Sequence, residues 1–150
     1  MTYHGPGQLV IYPIIDLHYF FMDIHKYIRS LEEVIIKSLW NGYKINGIRL
    51  NGKTGVWIST NEKIKIFKKI CSIGIKVSRW ITMHGLALNI NTNLKYFDYI
   101  IPCGINNIKM TSLRKELKYN KINNNKLFYE VKKLVKKSFQ EIFDIDYIHL

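Results

Sequence analysis

The stretch from Lys69 to Gly104 reads KICSIGIKVSRWITMHGLALNINTNLKYFDYIIPCG, and the rest of the chain is expected to be arranged around it. An amine opens it on a predicted strand, and a thiol closes it in the Pro-Cys-Gly loop around Cys103. Between these ends lies a glycine-rich, partly apolar segment of the kind that lines pockets. Because a lysine beside a cysteine stabilises the thiolate at neutral pH, the two ends are candidates for nucleophilic chemistry.

Each of these residues also has an ordinary explanation. A lysine at the start of a strand is usually solvated, and a lone cysteine is more often a small buried hydrophobe than a nucleophile. Alternation with a period of two over residues 69–77 predicts that Lys69, Cys71 and Ile73 share one face of a strand. His84 is interpreted as a structural histidine, because no second metal ligand stands nearby at a suitable spacing.

Composition indicates a single folded domain over residues 1–150. Hydrophobic residues make up 47% of the chain and aromatic residues 13%, which favours a packed globular protein over a disordered one. No run approaches the ~18 apolar residues of a membrane helix, and the opening MTYHGPGQ lacks the blocks of a signal peptide. With only two cysteines a disulfide framework is not expected, so we predict a cytoplasmic location.

The formal charge of +12 has three possible explanations. A basic surface suits nucleic acid, and it equally suits an acidic protein partner that is steered by complementary charge. The third explanation is compositional bias, because the chain is rich in Lys, Ile and Asn throughout. The lysines are spread along the chain and not gathered in one block, which favours the third explanation.

The hydrophobic pattern predicts strands alternating with helices. Asp23 is the expected N-cap of an amphipathic helix that Gly42 should stop, and Asn46-Gly47 and Asn51-Gly52 are expected turns with positive φ. The other predicted elements are strands at Gln8–Ile15, Val56–Ser59 and 69–77, a turn entering a strand at His84–Asn89, a short helix at Leu94–Tyr99, a helix at Thr111–Tyr119 capped by Thr111 or Ser112, and a C-terminal helix with the stripe Leu127, Val131, Leu134, Val135, Phe139 and Ile142.

Six motifs, in order, resemble the lipoyl (octanoyl) transferases of the lipoate/biotin-ligase fold group. They are TYHGPGQLVIYPIIDL, TGVW, KKICSIGIKV, HGLALNIN, FDYIIPCG and TSL, and together they span Thr2 to Leu113. The resemblance implies an α+β fold, a mixed sheet flanked by helices like that of lipoate/biotin protein ligases and class II synthetases. The family carries an Arg-Gly-Gly motif just upstream of TYHGPGQ, so the fold is expected to lack its N-terminal part.

The resemblance also implies the chemistry of the site. Cys103 would be the nucleophile that forms an acyl-thioester, and Lys69 would lower the pKa of the cysteine and transfer protons. Lys69 is preferred to Lys68 because it stands four residues before Ile73-Gly74, as in the family motif. The segments that would bind the acyl substrate contain Thr2, Tyr3, His4, Ser72, Ile73, Gly74, Gly85, Leu86 and Ala87. No metal or cofactor is implied.

The partners implied by the resemblance are an octanoyl-acyl carrier protein as donor and, as acceptors, lipoyl domains of 2-oxoacid dehydrogenase complexes and the glycine cleavage H protein. Nucleic acid and membranes are not expected partners. Two other functions stay open. One is an ATP-dependent lipoate or biotin ligase, whose acyl-adenylate chemistry requires no cysteine. The other is an inactive, shortened remnant that acts at most as a basic binding module.

Overall fold

A computed structural model describes residues 3–59, 66–100, 108–117 and 122–148. Within these residues one mixed sheet forms the centre of the fold. Five strands pair antiparallel in the order β1-β5-β4-β3-β2, and β6 pairs in parallel with the N-terminal end of β4. The strands are β1 (Gln8–Ile11), β2 (Gly47–Leu50), β3 (Lys53–Ser59), β4 (Phe67–Ser78), β5 (Ile81–Asn89) and β6 (Lys109–Met110). The predicted α+β fold with a mixed sheet is confirmed.

Helices α1 (Ile24–Tyr43) and α3 (Asn124–Phe143) cover one face of this sheet. Helix α1 packs against the strands, and α3 packs against α1, where the hydroxyls of Ser38 and Ser138 are 2.9 Å apart. The predicted C-terminal stripe is confirmed at Leu127, Val131, Val135 and Phe139, which enter the core together with Phe143. Of its other two members, Ile142 is only partly buried and Leu134 lies at Gly42 of α1. No helix in the described ranges combines the length and the apolar character needed to cross a membrane.

Helix α1 begins as predicted and ends later than predicted. The Asp23 side chain accepts a hydrogen bond of 2.9 Å from the Lys26 amide and so caps the helix. Gly42 does not stop it: the helix ends at Tyr43, and Lys44 adopts the left-handed conformation with φ 56°. Gly42 instead lies where α3 approaches, since a Cβ at this position would be 2.4 Å from Cδ1 of Leu134.

The shorter elements correct several boundaries. Strand β1 ends at Ile11 instead of Ile15, two residues before Pro13. Asn46-Gly47 is not a turn with positive φ, because Gly47 begins β2, whereas Gly52 has φ +68° in the β2–β3 turn as expected. Ser112 is the N-cap of α2, which covers only Leu113–Glu116. A 3-10 helix at Leu94–Tyr99 confirms the short helix predicted there.

A β-bulge in β4 overturns the predicted alternation. Val56 of β3 pairs with Cys71, but the next residue, Trp57, pairs with Lys69, so one extra residue lies on β4. Cys71 and Ile73 both belong to the hydrophobic core under the helices. Trp57 follows a core residue on a regular strand and therefore faces away from the helices, and its partner Lys69 faces the same way. Lys69 thus does not share a face with Cys71 and Ile73.

Candidate active site

A second buried layer lies on the face of the sheet opposite α1 and α3. Trp57, Ala87 and Phe97 are buried hydrophobic residues that do not belong to the core cluster under the helices. In the pairing of β4 with β5, Ala87 lies directly across from Ser72, and Gly85 lies across from Gly74. The sheet therefore has a helix-covered structural face and a second face with small residues, on which Lys69 lies.

Lys69 is almost fully buried on this second face, with 2% of its surface exposed. Its ammonium lies 4.6 Å from the centroid of the Trp57 ring, within the range of a cation–π interaction. Gly55 lies against the lysine stem, since a Cβ there would be 3.3 Å from Cε of Lys69. The usual explanation, a solvated lysine at the start of a strand, is therefore wrong for this residue.

The backbone of Lys69 is fixed by β6. Lys69 pairs with Met110 in parallel register, and the Thr111 amide donates a hydrogen bond of 2.9 Å to the Lys69 carbonyl. Thr2 and Cys103 lie outside the described residues. Ile108, five residues after Cys103 in sequence, is the first described residue beyond it, and Met110, two residues further on, pairs with Lys69.

A cleft of about 390 Å³ opens beside this strand segment. Its apolar walls come from the 3-10 helix Leu94–Tyr99 and from β6, and its rim is basic. The lining residues are Lys68, Leu94, Lys95, Phe97, Asp98, Ile108, Lys109, Met110 and Lys115. Of the four lysines, Lys68 has an acidic neighbour, because its Nζ lies 3.7 Å from Glu116. The cleft therefore combines an apolar wall with a net positive charge.

Cys71 is the other cysteine of the chain, and it is chemically unlike a nucleophile. It is fully buried in the core cluster, and burial raises the pKa of its thiol well above the ordinary value of 9.0. Since only the thiolate is nucleophilic, Cys71 is held in its unreactive form. The ordinary explanation of a lone cysteine, a small buried hydrophobe, applies to this one.

The structure separates the predicted substrate-binding residues into two groups. Ser72, Gly74, Gly85 and Ala87 lie on the Lys69 face of the sheet, whereas Ile73 and Leu86 pack in the core under the helices. The side chains of Ile73 and Leu86 therefore do not reach the second face. These two residues can contact a substrate on that face only through their backbone groups.

Gly85 marks a point of very close approach between β1 and β5. A Cβ at Gly85 would lie 2.2 Å from the Ile11 carbonyl oxygen, a distance that no side chain can occupy. The residue before it, His84, has φ +62° inside the strand and contacts the ring of Tyr12 edge-on. In the part of the chain that the structure describes, no group of metal-ligating side chains includes His84.

The first loop, which contains Tyr3 and His4, is anchored at both of these residues. The Tyr3 ring stacks on Tyr96 with centroids 5.3 Å apart and packs edge-on against Phe97 at 5.1 Å. Gly5 has no side chain to collide with this ring, since a Cβ there would lie 2.0 Å from the Tyr3 hydroxyl. His4 Nδ1 lies 2.8 Å from Oε1 of Gln8.

Sequence reasoning missed a chain of buried polar groups that starts at Gln8. Gln8 and Asn89 are paired across β1 and β5, and Nε2 of Gln8 donates to Oδ1 of Asn89 at 2.9 Å. Asn89 Nδ2 in turn donates to the Thr111 carbonyl at 3.0 Å. The available signal was an uncharged polar residue at the end of each of two apolar strand segments: Gln8 just before LVI, and Asn89 at the end of LALN.

A second omission is Glu32, which lies in the predicted amphipathic helix and was not singled out there. Its carboxylate is fully buried and accepts hydrogen bonds from Arg29 at 2.8 Å and from Arg49 at 3.1 Å. Its other oxygen accepts from the Gly55 amide at 2.9 Å. Because Gly55 lies against the Lys69 stem, Glu32 fixes the backbone on which this lysine rests.

Known proteins resemble this chain in both fold and sequence. Solved structures that share the architecture are lipoate and biotin protein ligases, at 15–19% identity to this chain. The chain belongs to the family described as the lipoyl protein ligase A/B catalytic domain, which matches residues 1–140. The predicted family and fold group are confirmed.

Among the relatives are an octanoyltransferase of Flavobacterium psychrophilum and a chloroplastic octanoyltransferase of Arabidopsis thaliana. The first is 52% identical over 144 residues, covering 96% of this chain and 59% of the relative. The second is 45% identical over 149 residues, covering 97% and 51%. The chain therefore spans between half and three fifths of the length of these two relatives.

Two solved structures illustrate the shared fold. The bipartite lipoate protein ligase of Thermoplasma acidophilum superimposes with a TM-score of 0.67 at 17% identity, covering 97% of this chain and 55% of that one. The biotin protein ligase of Aquifex aeolicus gives 0.59 at 15% identity, with coverage of 92% and 55%. At these identities the likeness supports the fold alone.

Proposed function

We propose that the chain, as one catalytic domain over residues 1–150, transfers an octanoyl group from an acyl carrier protein to a lysine of lipoyl-accepting domains. The observation that carries this proposal is the burial of Lys69 on the second face, beside β6, which begins six residues after Cys103 in the sequence. Relatives at 45–52% identity that bear the name octanoyltransferase support the acyl group.

The proposed first step uses Cys103 as nucleophile and Lys69 as its cationic partner. An ordinary thiol, with a pKa of ~8.5, is mostly protonated at neutral pH, and a nearby ammonium stabilises the thiolate. The thiolate attacks the carbonyl carbon of the donor thioester, and the carrier thiolate leaves and takes a proton from Lys69. The octanoyl group is then held as a thioester on Cys103, without ATP.

In the second step the acceptor lysine attacks this thioester as a neutral amine. The carbon–sulfur bond breaks, an amide forms, and the Cys103 thiolate leaves next to a reprotonated Lys69. Lipoyl domains of 2-oxoacid dehydrogenase complexes and the glycine cleavage H protein are the proposed acceptors.

The basic cleft is the proposed docking surface for the donor. Three of its lysines, Lys95, Lys109 and Lys115, have no acidic side chain within ion-pair distance among the described residues. An acidic carrier would be steered to this rim, and its acyl chain would enter along the apolar wall formed by Phe97 and Met110. For the protein itself we propose a cytoplasmic location.

Mass spectrometry of the 150-residue chain after incubation with octanoyl-carrier protein tests the proposal. We expect an added octanoyl group on the wild type and on Cys71→Ala, and none on Cys103→Ala. Lys69→Ala should acylate slowly at pH 7 and approach the wild-type rate above pH 9, where the thiol ionises unaided. An adduct that persists in Cys103→Ala contradicts the proposal.

The same variants distinguish the alternatives. ATP-dependent transfer of free octanoate by Cys103→Ala would identify a ligase that uses an acyl-adenylate. Absence of both activities in a folded wild-type chain would identify a remnant without catalysis.

A further inference from the structure

The chain of hydrogen bonds from Thr111 to His4 has a defined direction. A backbone carbonyl can only accept, so the group that Asn89 presents to the Thr111 oxygen must be its NH₂. The Asn89 oxygen is then left for Gln8, which must turn its own NH₂ towards it. What Gln8 presents to His4 is therefore an oxygen.

This direction determines the tautomer of the neutral His4 ring. The Gln8 oxygen accepts, so His4 Nδ1 must carry the proton, and Nε2 of the neutral imidazole then carries a lone pair. Gln8 and Asn89 are 8% and 1% exposed, so water does not compete freely for their amide groups. Within the described parts of the chain the ring makes no second hydrogen bond, and His4 is exposed.

This chain of hydrogen bonds from Thr111 through Asn89 and Gln8 to His4 forms a relay, and its Thr111 end is fixed beside Lys69. The Thr111 amide donates a hydrogen bond to the Lys69 carbonyl, and the Thr111 hydroxyl bonds to Glu116. Because of these bonds, the Thr111 carbonyl cannot rotate away from Asn89 unless β6 separates from β4. Gln8 is followed on β1 by Leu9, a core residue under the helices, so the Gln8 side chain points to the opposite face of the sheet. Asn89, its partner on β5, points the same way, and this is the face on which Lys69 lies.

We propose that this relay holds His4 as the Nδ1–H tautomer so that Nε2 accepts the proton of the attacking acceptor amine; the second part of this inference rests on the proposed function. As the amine nitrogen bonds to the acyl carbon, its N–H proton passes to Nε2 and the Cys103 thiolate leaves. The exposed imidazolium then releases this proton to solvent, and Lys69 takes up from solvent the proton that it gave to the carrier thiolate. Gln8 and Asn89 are positioning residues, because they act through His4.

Nitrogen-15 NMR of the imidazole tests the relay without any substrate. We expect the neutral His4 ring to be protonated at Nδ1 in the wild type. Gln8→Leu removes the acceptor and should shift the proton towards Nε2, whereas Gln8→Glu keeps an acceptor and should preserve Nδ1–H. A wild-type ring protonated at Nε2, or a tautomer unchanged in Gln8→Leu, overturns the relay.

Single-turnover kinetics tests the role of Nε2. Octanoyl-enzyme, isolated after acylation, is mixed with a lipoyl domain. Because the reaction starts from isolated octanoyl-enzyme, the rate of acylation does not enter, and we expect His4→Phe and Gln8→Leu to slow amide formation at least tenfold and Gln8→Glu to stay close to wild type. Equal amide formation in all four proteins contradicts the proton transfer. A chain that takes up no octanoyl group at all refutes the proposed function, and the NMR result still decides the relay.

Discussion

Gly74 and Gly85 lie directly opposite each other across β4 and β5, and only one of the two has room for a side chain. A Cβ at Gly74 meets nothing within 4 Å, whereas a Cβ at Gly85 would lie 2.2 Å from the Ile11 oxygen and 2.7 Å from Cδ of Pro13. The two glycines are therefore a matched pair, in which the same substitution has different consequences.

We expect Gly85→Ala to lower the free energy of unfolding by about 3 kcal/mol, because the clash is with backbone and β1 must move away from β5. Gly74→Ala should leave it within about 0.5 kcal/mol of wild type. Urea denaturation followed by circular dichroism measures both values. Equal stabilities of the two variants would contradict the close approach of β1 and β5.

Trp57 is expected to be needed for acylation because its ring lies over the Lys69 ammonium. Trp57→Leu removes a buried cation–π interaction of about 2 kcal/mol and should slow acylation by carrier protein roughly tenfold or more. Trp57→Tyr retains an aromatic face and should lose less than about threefold. Single-turnover mass spectrometry gives these rates, and similar losses in both variants would assign Trp57 a packing role only.

The buried thiol of Cys71 should make stability depend on pH above 9. Its folded pKa is raised by burial, so its contribution to stability is complete below the unfolded value of 9.0 and is lost as pH rises above that value. Between pH 8 and pH 10 the wild type should lose about 1.4 kcal/mol more than Cys71→Ala. Parallel stability profiles of the two proteins would show that Cys71 ionises freely in the folded state.

Glu32 and Glu33 both bind Arg49, but only Glu32 is buried. Glu32→Ala leaves two arginines and the Gly55 amide without their shared acceptor, and we expect a loss of about 3 kcal/mol in the free energy of unfolding. Glu33→Ala should cost less than about 1 kcal/mol, because its carboxylate is solvated. Thermal and chemical denaturation of both variants measure the difference, and equal losses would exclude the anchoring role of Glu32.

The basic cleft is expected to bind the acidic donor through charge. Lys95→Glu and Lys109→Glu reverse two of its rim charges and should each weaken carrier-protein binding about tenfold at low salt, with the difference largely lost at 1 M salt. Lys132→Glu, an exposed residue of α3 outside the cleft, makes the same charge change and should have little effect. An equal effect of all three would assign the binding to net charge alone.

Much of the fold could be predicted from local pattern. Amphipathic stripes identified α1 and α3, and Asp23 marked the start of α1, because caps and helical periodicity are encoded by residues close in sequence. The end of α1 was missed for a tertiary reason: Gly42 is required by the approach of α3 at Leu134 and not by a left-handed cap.

The site was harder to predict because it depends on partners distant in sequence. Lys69 could be selected from motif resemblance, but its burial against Trp57 requires a bulge that no local pattern indicates. Gln8 and Asn89 are 81 residues apart, so only the pairing of β1 with β5 reveals that they form one hydrogen-bonded chain. The role of Cys103 stays a prediction.

The extra residue in β4 has a consequence for redesigning the site. Without the bulge, β4 would place Lys69 on the same face as Cys71, two residues further on, and the Lys69 amine would point into the apolar layer under α1. The bulge therefore puts the amine on the opposite face of the sheet. Deleting Ile70 would remove the bulge and leave Lys69 opposite Trp57 on the same face. Inserting one residue between Val56 and Trp57 would instead remove the bulge and turn the Lys69 side chain towards the helices, with every proposed catalytic residue still in the sequence. A graft of this chemistry onto another sheet must therefore copy an irregularity of the main chain together with the side chains.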